Sequence, residues 1–66
     1  MGRTMMHPLE QEIQAIVEQC QLGNINEEER NYLINEIKDV RAARECADNE
    51  QAFRYIVQVC NVALSI

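Results

Sequence analysis

A chain of 66 residues holds one domain at most and leaves little volume for an enclosed active-site pocket. Apolar residues make up 47% of it, which argues against a disordered chain; with no tryptophan, one phenylalanine and two tyrosines, its core must be aliphatic. The net charge of −5 and the acidic isoelectric point near 4.6 speak against general binding to a phosphate backbone or an anionic membrane, both of which call for clustered lysine and arginine.

Cys20, Cys46 and Cys60 are odd in number, and the opening residues Met1 to Met6 carry no apolar run of the signal-peptide kind. The combination predicts reduced thiols and a cytoplasmic location, the host cytoplasm for a phage-encoded chain. Met6 stands where a myristoylation signal on Gly2 would need a hydroxyl residue. The apolar run from Tyr55 to Ile66 is too short to span a bilayer and contains Gln58 and Asn61, so no membrane anchor is expected.

Residues 1–7 lack periodicity and are expected to form a flexible lead, followed by one small helical domain over 8–66. Pro8 suits the first turn of a helix, where its missing N–H costs nothing. Leu9, Ile13, Ile16, Val17 and Cys20 then recur at helical spacing, predicting an amphipathic helix to about Gln21. Gly23 can take the left-handed conformation that closes it. Asn26 and Glu29 stand at the N-cap and N3 positions of a capping box, and Glu27, Glu28 and Glu29 favour the positive end of a helix dipole. So short a connection predicts an antiparallel helical hairpin.

The second helix starts at Glu27, with Leu33, Ile37, Val40 and Ala47 as its apolar stripe and Ile34 and Ala43 alongside. Arg44 falls in the same stripe, its stem able to pack while its head reaches water. Two readings compete near Ala47–Asn49. In one the helix stops and Asp48 with Gln51 caps a third. In the other the helix continues, and Ala42, Cys46, Asn49, Phe53, Ile56, Cys60 and Ala63 make a heptad seam with Asn49 in the core. The change of phase after Ala47 favours the break. The expected fold class is all-α: an antiparallel helical hairpin plus a C-terminal third helix, or a long second helix bent near Ala47–Asn49, within an oligomeric bundle.

No catalytic or cofactor site emerges from these residues. His7, Cys20, Cys46 and Cys60 lack the tight spacing of a structural zinc site, and each cysteine falls on an apolar face. The carboxylates lie on solvated helix faces, and the Glu-x-x-His motif of a di-metal bundle is missing. Lys38, Arg41 and Arg44 form a short basic ridge, but Glu36, Asp39, Glu45 and Asp48 cancel most of its field, which makes nucleic acid an improbable partner.

The C-terminal segment holds the strongest functional signal. Phe53, Ile56, Val57, Cys60, Ala63 and Leu64 share one helix face, and Ala52, Tyr55, Val59, Val62 and Ile66 form a second seam beside it. One short helix cannot cover both. The expected function is therefore a non-enzymatic assembly or adaptor protein, of the size of a small phage or bacterial accessory protein. It would self-associate or dock into a larger complex through Phe53, Tyr55, Ile56, Val59, Val62 and Ile66. Arg41, Arg44, Glu28 and Glu36 are the expected polar contacts with a partner. The alternative is an acidic inhibitor that covers a basic surface of a transcription or nucleic-acid enzyme with Glu27, Glu28, Glu29, Glu36 and Asp39.

Overall fold

The computed structural model describes residues 7–65, and across them the chain forms three helices with no strand. Helix α1 is Pro8–Gln21. His7, the last residue of the expected lead, caps it: the Leu9 N–H donates to His7 Nδ1 at 3.1 Å. The rest of that lead and the terminal Ile66 lie outside the described residues.

At the other end of α1, Gly23 sits at φ +84. Its N–H donates to the Cys20 carbonyl at 3.1 Å, and the Asn24 N–H donates to the Gln19 carbonyl at 2.9 Å. These paired bonds satisfy carbonyls that the helix end would otherwise leave orphaned. The capping box then starts the next helix. The Glu29 N–H donates to Asn26 Oδ1 at 2.7 Å, and the Asn26 N–H reaches Glu29 Oε1 at 3.4 Å.

Helix α2 covers 27–45 as three joined pieces: an α-helical Glu27–Glu36, a π-helical turn Ile37–Arg41 and a final α-helical Ala42–Glu45. Within the π turn the Ala42 N–H bonds to the Ile37 carbonyl. Such a turn inserts one residue without ending the helix, and here it re-phases the buried face. Upstream, Arg30, Ile34 and Ile37 are buried; downstream, Ala42 and Cys46 are. The apolar stripe read at an unbroken helical period is corrected by this. Val40, Ala43, Arg44 and Ala47 are exposed, because the extra residue turns them off the face that Ile37 occupies.

The helix ends after Glu45, so a break separates the second and third helices. The expected seam through Asn49 is thereby overturned: Asn49 is exposed, and it is the cap of helix α3, Glu50–Ser65. Its Oδ1 accepts from the Ala52 N–H at 3.1 Å and its carbonyl accepts from the Phe53 N–H at 3.0 Å. The cap is therefore one residue later than the expected Asp48.

Leu9 and Ile13 from α1, Ile34, Ile37, Ala42 and Cys46 from α2, and Ile56, Cys60 and Ala63 from α3 make one aliphatic core. Every side chain in it is small or branched, as a chain without tryptophan requires. Ile16, Val17, Ala52, Phe53, Val59 and Leu64 pack on its margin.

Candidate interaction surface

Helix α3 is buried on one side. Ile56 and Cys60 have no exposure and Ala63 has 4%. The adjacent seam is open: Tyr55 is 48% exposed and Val62 58%, with Val59 half-buried between them. Residues 55–65 contain no charged side chain, in a chain whose net charge is −5. This side of α3 meets α1 along an open groove of about 420 Å³, whose apolar lining is Ile13, Val17, Val59, Val62 and Ala63. Its polar rim is Gln14, Glu18 and Gln21, a single charge among three.

One polar clip closes the other end of the α1–α3 contact, and others tie α2 to each of them. Tyr55 Oη donates to Glu10 Oε2 at 2.6 Å, which pushes the phenol above its ordinary range because the carboxylate favours the protonated form. Tyr55 thus presents a ring whose hydroxyl is already engaged. Arg41 holds Glu12 through both of its carboxylate oxygens, Nη1 to Oε1 at 3.0 Å and Nη2 to Oε2 at 2.8 Å. A third bond runs from Arg41 Nε to Glu45 Oε2 at 2.9 Å. These bonds hold Glu12 below the usual carboxylate range and raise the guanidinium further still. Lys38 Nζ donates to Asn61 Oδ1 at 3.1 Å, tying the π turn to α3.

The residues proposed as an interface separate into groups. Tyr55, Val59 and Val62 line the open side. Phe53 packs partly against the core. Ile56 is a core residue and presents no surface, because it faces inward with Cys60. Ile66 lies outside the described residues. Arg41 is engaged within the chain, while Arg44, Glu28 and Glu36 are exposed. Ile13 and Val17, on the apolar stripe of α1, also floor the groove, because α3 lies beside that helix.

The thiols sit as their apolar surroundings suggest. Cys46 and Cys60 are buried and Cys20 is half-buried. Burial pushes the Cys46 and Cys60 thiols up, away from the reactive thiolate. His7 Nε2 lies 3.7 Å from Cys46 Sγ, and among the described residues no three His, Cys, Asp or Glu side chains gather as metal ligands. No helix among the described residues is long and apolar enough to cross a membrane.

Arg30 is the residue that the sequence reading missed. It is 6% exposed, with Nε and Nη2 donating to Asn31 Oδ1 at 3.2 and 3.0 Å. The signal was its place four residues before Ile34, on the same helix face. No family model matches this chain, and no curated protein or solved structure is significantly similar to it.

Proposed function

We propose that this chain is a non-enzymatic assembly module that associates with further copies of itself, or with a larger complex, through the α1–α3 face. In this reading α1 and α2 form an antiparallel hairpin, α3 packs beside it, and the uncovered side completes an oligomeric helical bundle. The pairing of Glu12, early in α1, with Arg41, late in α2, supports the hairpin. The observation that carries the function is the uncharged apolar groove itself, with Val62 more than half exposed at its edge. On an acidic chain this is the face on which another copy meets least repulsion. Burying a valine of this kind contributes about 1.5–3 kcal/mol before the cost of association.

Native mass spectrometry and light scattering over a wide concentration range test the proposal. The native chain is expected to form a defined oligomer. Val62→Glu should return it to monomer with its helical circular dichroism unchanged, since Val62 contributes little to the internal core. A chain that stays monomeric at every concentration rules out self-association, and an oligomer indifferent to Val62→Glu rules out this face.

A further inference from the structure

We infer that the outer face of α2 around Tyr32 is a docking ledge for a basic, amphipathic segment of another protein, one that sets an arginine or lysine beside an apolar side chain. Among the described residues Tyr32 is the most exposed of the large hydrophobic side chains, at 68%. With Leu33, Glu28 and Glu29 it lines an open hollow of about 490 Å³ on the side of α2. Glu28 and Glu36 stand one helical turn to either side of Tyr32, so the ring lies between two carboxylates along one row.

The charge on this row is not neutralised by the described residues. Of the cations of the same helix, Arg30 is buried, Lys38 bonds to Asn61 and Arg41 is spent on Glu12 and Glu45, while the exposed Arg44 stands eight residues beyond Glu36. Among the described residues no cation pairs with Glu28 or Glu36. Glu29 is partly committed to the capping box, so the free charge is that of Glu28 and Glu36.

These features select the occupant. A guanidinium or ammonium group can lie over the tyrosine ring and reach a carboxylate on either side, while an apolar neighbour rests on Leu33. A phosphate backbone would be repelled. A single metal ion is excluded as a bridge between Glu28 and Glu36, whose positions are about 12 Å apart along the axis. A second copy of this chain is a poor fit: with a net charge of −5 it is repelled by an acidic row, and its Lys38 and Arg41 are engaged with Asn61, Glu12 and Glu45. The ledge is separate from the α1–α3 groove, and the two can succeed or fail independently.

The test is fluorescence anisotropy with a labelled synthetic peptide alternating arginine and leucine, and its glutamate–leucine counterpart as the control probe. The full chain is expected to bind the basic peptide and not the acidic one, more weakly as salt is added. Tyr32→Ala and a Glu28→Gln/Glu36→Gln double variant should each weaken binding at least several-fold. Tyr32→Phe, which keeps the ring face, should retain it, and so should Val62→Glu. Asp48→Asn removes one charge, the same as Glu28→Gln alone, from a distant exposed site and should leave binding unchanged. All of these positions are exposed, and circular dichroism checks that each variant is folded. Equal weakening by Asp48→Asn and Glu28→Gln, or binding unaffected by Tyr32→Ala, would overturn the inference. Failure to bind the peptide, with self-association lost in Tyr32→Ala, would instead assign the ledge to a second copy.

Discussion

Arg41 reaches back along the chain to grip Glu12 through two parallel bonds, 3.0 and 2.8 Å long, while the same guanidinium holds Glu45. Both partners are more than a third exposed, so solvent screens the pair and its contribution to stability is small. Its value is geometric: it sets the π turn of α2 against the first half of α1. Glu12→Gln should move the urea midpoint only slightly, and far less than Ile34→Ala. Ile34 is fully buried, and truncating such a side chain costs about 2–5 kcal/mol. Because Glu12 is held below its ordinary value of 4.5, its contribution is present above that pH and is lost as pH falls through the depressed value. The native chain and Glu12→Gln should therefore converge in stability on acidification, as followed by urea titration at several pH values. A gap that widens in acid contradicts the pairing.

The π turn yields a prediction that an unbroken helix would not. Val40 is exposed within the inserted turn, between Lys38 and Arg41, whose contacts are to different helices. Deleting Val40 should turn Ile37–Ala42 into an ordinary α-helical turn and leave both flanking faces in register. Helical circular dichroism should be retained, with a far smaller loss of stability than a deletion that shifts the core positions. Deleting Asn35 removes a residue between Ile34 and Ile37 and dephases the buried face, so that variant should be severely destabilised. Equal damage from the two deletions would contradict the re-phasing account.

Asn49 and Asp48 are adjacent and chemically similar, and only Asn49 caps α3. Asn49→Ala should cost roughly 0.5–2 kcal/mol, the usual loss at an N-cap. Asp48→Ala should be close to neutral. Thermal melts of the two variants distinguish the roles directly, and the reverse ranking would restore the cap expected from sequence.

Tyr55 is held protonated by Glu10, so its pKa is raised above the ordinary value of 10.0. The sign follows from linkage: the stabilisation is present below that value and is lost as pH rises through the raised one. Ultraviolet titration of Tyr32→Phe, which leaves Tyr55 as the only tyrosine, should show a phenol titrating above 10.0. Adding Glu10→Gln should bring it down. An unchanged titration would mean that the 2.6 Å bond is not maintained in solution.

Much of this architecture was legible in the chain itself, and the legible parts share a cause. Pro8, Gly23, and the pair Asn26 and Glu29 mark helix ends by bonds to backbone groups only a few residues away, so local identity suffices to place them. The absence of tryptophan dictated an aliphatic core, and the length of the apolar run after Ala52 announced a helix with more greasy surface than one neighbour can cover. The candidate surface was legible as a seam but not in its membership: Ile56 belongs to the core, and Ile13 and Val17 help to floor the groove.

What only the tertiary structure decided is the phase of each helix against the others. Whether α2 takes an inserted residue at Ile37–Arg41 depends on what Ala42 and Cys46 meet on the far side of the core, and no local propensity records that. The same holds for the burial of Arg30, for the engagement of Arg41 with Glu12, and for the choice of Asn49 over Asp48 as cap. Each is settled by burying apolar area against residues distant in sequence, a non-directional force that fixes which face turns inward only once all three helices are in place.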